Sequence, residues 1–272
     1  MTVQVRPIND QEFAQFQSML VRVAGISLSP AKKTLVGGRL AKRLQHCQVA
    51  TYGDYYALLA SGRDTQEQQV ALDLLTTNET YFFRESKHFD FLRERFLPER
   101  KPGAPLRVWS AACSSGEEAY SIAMLLADRL GENGWQVLAS DISSRVLEKA
   151  RGGHYFMERT DQIPPDYLSR FCLKGVGSQH GTLLVEPRLR ARVDFRQINL
   201  NQNLPNVGEF DVIFLRNVMI YFSLDTKRHV VARLLATLKP GGYLIVGHSE
   251  SLNGVADHLK PVAPSIYRKP LK

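Results

Sequence analysis

Residues 106–246 alternate short apolar runs typical of strands with longer amphipathic runs typical of helices. The strand patterns lie at 106–109, 136–140, 193–198, 210–215 and 243–246. The helical patterns lie at 117–130, 143–150 and 226–238. Because strands that alternate with helices are joined by crossover connections, the sequence predicts an α/β fold with a mostly parallel sheet.

The first part of the chain carries helical patterns and no strand-like alternation. Apolar side chains recur at helical spacing from Phe13 through Phe16 and Leu20 to Val23. Ser29-Pro30 resembles an N-cap followed by proline at the first helical position. Residues 10 to about 76 are therefore predicted to form a small all-α unit. The proline- and glycine-containing stretch 98–105 indicates a linker, which gives a helical domain at 1–84, a linker at 85–105 and a sheet domain at 106–272.

One segment does not fit the alternation of strands and helices. Residues 155–192 exceed a usual connection, and within them two apolar runs, 168–173 and 182–185, flank a glycine-rich turn. This pattern predicts an antiparallel hairpin inserted into the sheet domain, as a subdomain at about 160–195. Since an isolated hairpin is only marginally stable, residues 189–195 are the expected third strand.

Composition excludes several classes of protein. Of the 272 residues, 44% are hydrophobic and 23% charged, which favours a buried core over disorder. No apolar run approaches the ~20 residues of a membrane span, and residues 1–10 lack the apolar core of a signal peptide. The three cysteines have no CxxC spacing, which argues against disulfides and zinc. We expect a reduced, cytoplasmic protein without a metal site.

The formal net charge of +8 favours an acidic partner, which could be nucleic acid, an anionic membrane surface or an acidic protein. No acid occurs between Glu12 and Asp54. The same stretch holds six basic residues: Arg22, Lys32, Lys33, Arg39, Lys42 and Arg43. A solvated helix face would carry the same charges, so the pattern leaves a binding surface and a solvated surface both open.

The loop at 110–116 is the first candidate binding element, because small residues let a ligand approach the backbone before a helix N-terminus. It is not GxGxxG, so a dinucleotide is not indicated, and a tight structural turn is an equal alternative. Asp141 ends the next strand, where it could bind ribose hydroxyls or cap the following helix. Glu117 is interpreted as an exposed first-turn acid. His248 is interpreted as structural, because no second histidine or carboxylate is suitably spaced for a metal.

Several ordered blocks of the sequence resemble one known family. TTNETYFFRE at residues 76–85 and RVWSAACSSGEEAYS at 107–121 are similar to signatures of the chemotaxis receptor methyltransferases, the CheR family. Four shorter blocks follow in the family's order: ASDI at 139–142, NL at 199–200, RNVMIYF at 216–222 and GHSE at 247–250. Cys113 and Ala119 depart from the family pattern, and neither side chain should carry chemistry.

The resemblance implies a helical domain followed by a Rossmann-like methyltransferase domain with a small β-subdomain. It also implies transfer of a methyl group from S-adenosylmethionine to glutamate side chains of bacterial chemoreceptors, with S-adenosylhomocysteine as product. Two rival functions stand beside it. A nucleic-acid methyltransferase of the amino-methylating type would carry Asn/Asp-Pro-Pro-aromatic where this chain has RNVM at 216–219. A non-enzymatic receptor-binding protein would not need an intact pocket.

The resemblance assigns cofactor roles to individual residues. Asn78, Thr80 and Arg84 resemble residues that close over the cofactor, and the planar guanidinium of Arg84 would hold the cofactor carboxylate. Pairing of Arg84 with a surface acid is the plain alternative. Glu118 resembles the acid that meets the amino-acid end of the cofactor, and Asp141 resembles the ribose-binding acid.

The remaining roles concern the adenine, the pocket wall and the receptor. Asn199 and Leu200 resemble part of the adenine site, Arg216 and Asn217 resemble strand-end residues that line the pocket, and Tyr221 would orient the acceptor carboxylate or serve as a core aromatic. Four basic residues of the second helix are expected to meet the acidic methylation region of a receptor: Lys32, Arg39, Lys42 and Arg43. We also expect a monomer that binds no nucleic acid and does not insert into membranes. In some members of the family the β-subdomain holds a receptor C-terminal tail, and here it is expected either to do the same or to be a structural lid without a partner.

Overall fold

The computed structural model describes residues 6–101 and 103–271. It divides the chain into two compact units. The first unit comprises the residues up to Thr77 together with Tyr221–Thr226, and the second comprises Asn78–Ile220 and the residues from Lys227 onward. The chain therefore enters the second unit at Asn78 and contributes a short return segment to the first.

The first unit is all-α, as the sequence predicted. Its helices are α1 (Asp10–Ala24), α2 (Lys33–His46), α3 (Tyr52–Ala60) and α4 (Thr65–Leu75). A capping box of Asn9 and Glu12 begins α1. Ser29 makes no side-chain capping bond; Pro30–Lys32 instead forms a 3₁₀ turn ahead of α2. The return segment joins this unit through an antiparallel bridge between Ile26 and Phe222.

The second unit combines strands and helices. Its helices are α5 (Lys87–Phe91), α6 (Leu97–Glu99), α7 (Glu117–Leu130), α8 (Ser144–Gly152), α9 (Pro165–Phe171), α10 (Pro187–Arg190) and α11 (Leu224–Thr237), the last of which starts in the return segment. Its strands are β1 (Leu106–Ser110), β2 (Trp135–Asp141), β3 (His154–Phe156), β4 (Cys172–Lys174), β5 (Thr182–Val185), β6 (Val193–Gln197), β7 (Phe210–Leu215), β8 (Leu238–Val246), β9 (Lys260–Ala263) and β10 (Ile266–Arg268).

The segment 85–105, which was predicted to be a linker, is mostly part of the folded second unit. Most of this segment is helical, because α5, a π-helical turn at Leu92–Phe96 and α6 follow one another. Phe89 and Leu92 are fully buried in the core of the second unit. Gly103 and Pro105 therefore mark only the short connection into β1, and the boundary between the compact units lies at Thr77.

The main sheet has seven strands in the order β6-β2-β1-β7-β8-β10-β9. The first five strands are parallel to one another, which confirms the predicted parallel sheet. Strands β10 and β9 add an antiparallel pair at one edge. The strand order reverses at β1, and ligands of open α/β sheets bind at such a switch point beyond the carboxyl ends of the strands.

The inserted subdomain is a three-stranded antiparallel sheet in the order β3-β5-β4. The predicted hairpin is present as the pair β4 and β5, but most of the predicted first run, 168–173, is wrong as a strand because residues 168–171 belong to α9. The predicted third strand at 189–195 is wrong, because Pro187–Arg190 is helical and Val193–Gln197 pairs in parallel with β2. The third strand is β3, which pairs with β5 and lies before the predicted start of the subdomain.

One large apolar core supports the second unit. It contains residues of β1, β2 and β7 and seven buried apolar residues of α7 between Ala119 and Leu126. Among the helices of residues 6–101 and 103–271, none has the length and apolar character needed to cross a bilayer.

Candidate active site

The loop between β1 and α7 folds tightly at the switch point of the sheet. Ser114 and Gly116 both have positive φ, of 48° and 95°. A Cβ on Gly116 would lie 2.9 Å from the Cβ of Ala150 and 3.0 Å from the hydroxyl of Tyr155, so only glycine fits. The Tyr155 hydroxyl donates to the Ser115 carbonyl at 2.7 Å. The loop is therefore held in one conformation by α8 and β3.

Asp141 holds this loop from the end of β2. Its Oδ2 accepts from the backbone N–H of Ser114 at 2.9 Å, and its Oδ1 accepts from the backbone N–H of Ser143 at 3.0 Å. Ser143 is the N-cap of α8. Asp141 therefore binds the backbone at the start of the following helix, which is part of the capping role that the sequence offered as an alternative. The same carboxylate also fixes the binding loop, and each carboxylate oxygen can accept more than one hydrogen bond.

Two predicted cofactor segments lie beside Asp141. The Ser114 hydroxyl donates to the Asn78 carbonyl at 3.0 Å, which brings the TTNETYFFRE block to the loop. The Ile198 N–H donates to the Asp141 carbonyl at 3.1 Å, so Asn199 directly follows a residue fixed to the end of β2. The structure thus brings together three of the predicted segments around the carboxyl ends of β1 and β2.

A buried ion-pair network lies at the carboxyl end of β7. The Arg216 guanidinium pairs with Glu118 at 2.8 Å and with Glu85 at 3.0 Å, and its side chain is only 1% exposed. The second Glu118 oxygen accepts from the Ser110 hydroxyl at 2.6 Å. Arg216 also donates to the backbone carbonyl of Arg84. Arg216 therefore orders the Glu118 carboxylate and the end of the TTNETYFFRE block.

The other predicted cofactor residues have the following places. Thr80 is buried, and its carbonyl accepts from Arg159 at 3.2 Å. The Arg84 side chain donates to the Glu79 carbonyl at 2.9 Å, and its guanidinium carbon lies 5.7 Å from the centre of the Tyr81 ring. Their predicted cofactor contacts remain predictions.

Leu200 and Tyr221, two further predicted site residues, each accept a hydrogen bond at the backbone carbonyl. The Leu200 carbonyl accepts from Arg233 at 3.2 Å. Tyr221 belongs to the return segment of the first unit, where its carbonyl accepts from the Ser27 N–H at 2.8 Å. Its proposed role towards the acceptor stays a prediction.

Sequence reasoning was wrong about the exposure of Glu117, and it missed the neighbours of His248, whose structural role stays a prediction. Glu117 is completely buried rather than exposed, because the 110–116 loop folds over the first turn of α7, and Glu117 accepts from the Ser115 hydroxyl at 2.7 Å. His248 has neighbours that its spacing did not reveal: one ligand atom each of Glu85, His88 and His248 lie within 4.8 Å of one another.

We assign no metal to this cluster. The Glu85 oxygen that faces both rings already accepts from Arg216 and from the backbone N–H of His248 at 3.1 Å. Burial and the nearby Arg216 charge lower the pKa of His88 to about 3, so its ring is neutral near pH 7 and makes no ion pair with Glu85. Glu85 is thus a residue that sequence reasoning missed, although it ends the block that carried the resemblance.

The four basic residues that were predicted to meet a receptor divide into two groups. Lys32, which ends the 3₁₀ turn ahead of α2, and Lys42, in α2, are exposed. Arg39 donates to the carbonyls of Leu75 and Thr76 at 3.3 and 3.1 Å, and Arg43 forms a two-point ion pair with the buried Glu67. Arg39 and Arg43 therefore hold α4 in place within the first unit, which the helical wheel alone did not indicate.

The residues at the switch point fit an S-adenosyl ligand. A ribose has hydroxyl donors, and Asp141 offers carboxylate acceptors that are already oriented by backbone N–H bonds. A cationic sulfonium and ammonium suit a site with several acids, and the Glu118 carboxylate, from the first turn of α7, accepts from Ser110 at the end of β1.

Comparisons with known proteins identify the family of the chain. The family described as "CheR methyltransferase, SAM binding domain" matches residues 78–267, and "CheR methyltransferase, all-alpha domain" matches residues 11–76. "Chemotaxis protein methyltransferase 2" of Pseudomonas aeruginosa is 40% identical over 260 residues, which cover 94% of this chain and 92% of that protein. "Chemotaxis protein methyltransferase" of Escherichia coli is 42% identical over 249 residues, covering 90% and 86%. The chain therefore belongs to the CheR methyltransferase family and is an S-adenosylmethionine-dependent methyltransferase.

Proposed function

We propose that this enzyme methylates glutamate side chains on the cytoplasmic helices of bacterial chemoreceptors. The observation that carries the proposal is the set of contacts joining Asn78, Ser114 and Asp141 at the switch point, in a chain about 40% identical to named chemotaxis methyltransferases over most of its length. We place the enzyme in the cytoplasm as a monomer, with S-adenosylhomocysteine as the product of each turnover.

The chemistry requires positioning more than proton transfer. Bound S-adenosylmethionine supplies an electrophilic methyl group. Glutamate has an ordinary pKa of about 4.3, so the acceptor is already ionised near neutral pH and needs no general base. The task of the protein is to orient two reactants and to exclude water, and orientation can contribute roughly 7–11 kcal/mol. A buried, rigid ion-pair network such as Glu118–Arg216–Glu85 suits that task.

The cofactor contacts follow from the places of the residues. We propose that Asp141 accepts from the ribose hydroxyls, and that Asn199 and Leu200 border the adenine. Glu118 would meet the ammonium group. These assignments are supported by the position of each residue at the carboxyl end of β1, β2 or β6, or just beyond it.

The remaining contacts lie in the TTNETYFFRE block and after β7. Asn78, Thr80 and Arg84 are proposed to cover the cofactor, with the Arg84 guanidinium at its carboxylate. Arg216 and Asn217 follow β7 directly and are proposed to line the pocket.

The exposed basic residues at the start of α2 and within it are proposed to meet the acidic methylation region of a receptor. Lys32 and Lys42 are free to do so as exposed cations. Arg39 and Arg43 are only partly exposed and already have partners inside the first unit. We therefore propose that the two lysines supply most of the attraction and that the two arginines shape the surface beneath them.

The small sheet is proposed to hold a receptor tail peptide. A cavity of about 410 Å³ lies along β4 and β5, and its lining includes Leu173, Val176 and Leu184. Leu173 and Val176 are 47% and 77% exposed, so both apolar side chains present accessible surface to a ligand in this cavity. A tethered tail would raise the local concentration of receptor without touching the chemistry. A structural subdomain without a partner is the alternative that the test must distinguish.

The proposed function is tested with radiolabelled S-adenosylmethionine and purified receptor cytoplasmic fragments. We expect label on the receptor that is released by mild base, because methyl esters are base-labile. The control is the same receptor with its methylatable glutamates replaced by alanine, which should take up no label. Base-stable label, or label on RNA or DNA but not on receptor, would contradict the proposal.

A further inference from the structure

One buried carboxylate outside the proposed cofactor contacts joins the ends of β7 and β8. Glu250 is 9% exposed and lies just after the tight turn that follows β8. Its Oε2 accepts from the backbone N–H groups of Asn217 at 2.8 Å and Gly247 at 2.7 Å. Its Oε1 accepts from the backbone N–H groups of Met219 at 2.7 Å and Ile220 at 3.3 Å.

Four N–H groups on one carboxylate make a strong local restraint. Hydrogen bonds to an ionised acceptor are roughly twice as strong as bonds between neutral groups. The N–H groups of Met219 and Ile220 lie at the start of the 3₁₀ turn Met219–Tyr221, where a helical turn leaves its first donors without partners. Glu250 supplies those partners and ties the turn to the end of β8.

The surrounding backbone leaves Asn217 little freedom. Asn217 has a φ of 56°, a left-handed conformation that is uncommon outside glycine. A Cβ on Gly247 would lie 2.6 Å from the Asn217 Nδ2 and 2.8 Å from the Glu250 Oε2. The Asn217 amide also donates to Glu85 at 3.2 Å. Glu250 and Gly247 together fix where the Asn217 side chain points.

We propose that Glu250 is a positioning residue for methyl transfer. It holds the segment Asn217–Ile220, and thereby the Asn217 side chain, in the orientation that the reaction requires. The proposal rests on the proposed function. Asn217 is one of several proposed cofactor contacts, and those of Asp141 and its loop lie at β1 and β2, so the loss of Glu250 should affect turnover far more than cofactor affinity.

The substitution Glu250→Gln tests this role with little change in size. An amide keeps one oxygen but directs an NH₂ donor at two of the four N–H donors. We expect kcat for receptor methylation to fall at least tenfold, while the dissociation constant for S-adenosylmethionine, measured by calorimetry, changes less than twofold. Hydrogen exchange should accelerate at the amides of Asn217, Met219 and Gly247.

A matched control lies near the start of β7, the strand whose carboxyl end precedes Asn217. Asp211 in β7 accepts from the Arg107 N–H at 2.9 Å and pairs with Lys239 at 2.9 Å. Asp211→Asn removes a comparable carboxylate and should lower the melting temperature while leaving kcat within twofold of the wild type. Gly247→Ala is a second variant, which pushes a methyl group against Asn217 without changing any charge, and it should reproduce the low kcat.

The outcomes separate the positioning role from a general loss of folding. The proposal is overturned if Glu250→Gln keeps wild-type kcat per folded molecule, or if it loses cofactor affinity as strongly as turnover. If Glu250→Gln does not fold, the same two criteria, kcat per folded molecule and cofactor affinity, are applied to Gly247→Ala. A wild-type enzyme that fails to methylate receptors would refute the proposed function, whereas unchanged amide exchange in the variant would refute the restraint by Glu250.

Discussion

Glu117 lies at the first turn of α7 with its side chain fully buried. One of its oxygens accepts from Ser115, and the other has no hydrogen-bond partner in the part of the chain that the structure describes. Burial raises the pKa of Glu117 above its ordinary value of 4.5. The folded protein therefore keeps a proton that the unfolded chain releases, and this contribution to stability is lost as the pH rises above that ordinary value.

Replacement of Glu117 by glutamine should remove this pH dependence. The amide oxygen can still accept from Ser115, and no charge has to be buried at pH 7. We expect Glu117→Gln to raise the free energy of unfolding at pH 7 and to flatten its fall between pH 4.5 and 7, as measured by urea unfolding. Glu158→Gln, at an exposed position of the same unit, is the control and should change neither quantity. A steeper pH dependence in Glu117→Gln would contradict this account.

Asp141 carries the most direct prediction about the cofactor. Asp141→Ala removes a charged acceptor and also frees the Ser114 N–H of the binding loop. Loss of a charge-assisted hydrogen bond costs roughly 1.5–3 kcal/mol, so affinity for S-adenosylmethionine should fall about 10- to 150-fold by calorimetry. Asp194→Ala, which breaks an exposed ion pair on the neighbouring strand, should leave the affinity unchanged. Wild-type affinity in Asp141→Ala would remove this residue from the site.

Sequence reasoning at the scale of single residues found the strand-end positions but not their partners. The sequence indicates Asp141 as a site residue because an acid at the end of a strand has few roles, chiefly binding a ligand or capping the next helix. The exposure of Glu117 could not be inferred, since the helix dipole says where an acid is favourable and not which loop will cover it. His88 and His248 are 160 positions apart and meet only because α5 and the end of β8 lie together, so no local spacing could reveal them.

At the scale of elements, α2 shows how charge on a helix can be divided between binding and folding. Lys32→Glu with Lys42→Glu should lower receptor methylation several-fold at low salt and leave the melting temperature and cofactor affinity unchanged. Arg43→Glu would instead place a second carboxylate against buried Glu67. Breaking a buried pair costs about 3–5 kcal/mol, so that variant should chiefly lose stability. Unaltered methylation in the double lysine variant would reduce the basic face to a solubility feature.

The small sheet makes the second prediction at this scale. Val176→Asp places a charge in the apolar cavity on an exposed side chain, so it should weaken binding of a receptor tail peptide at least tenfold without loss of folding. Phe156→Asp, on an equally exposed apolar residue that does not line the cavity, is the control. Calorimetry that detects no tail binding by the wild type at high micromolar concentration would rule out tethering for this enzyme.

Helices and strands long enough to show a complete apolar repeat were predictable from the sequence, and strands of only a few residues were not. The strands β1, β2 and β7 and the helices α1 and α7 follow their patterns closely. Strand β3 has three residues between a helix and a 3₁₀ turn, which is too few for a period to show. The apolar alternation of Val193 and Phe195 suits either sheet, and only the pairing with β2 decides between them.

The whole molecule carries an excess of eight positive charges, and receptor binding should depend on it. Screening shortens the reach of exposed charges from about 10 Å at 0.1 M salt to about 3 Å at 1 M. We expect the KM for receptor to rise several-fold between 50 and 500 mM salt, while kcat changes little. Methylation of a free-glutamate peptide without acidic neighbours is the control. A KM that does not respond to salt would show that long-range charge plays no part.

The return segment Tyr221–Thr226 has a consequence for synthesis on the ribosome. The first unit receives this piece, with its bridge from Phe222 to Ile26, only after about 150 further residues have been translated. At roughly 5–20 residues per second, this interval lasts about 7–30 s. During that time the nascent helices lack the partner of Ile26 and Ser27. The helical unit thus reaches its final form late in translation, although nearly all of it is made first.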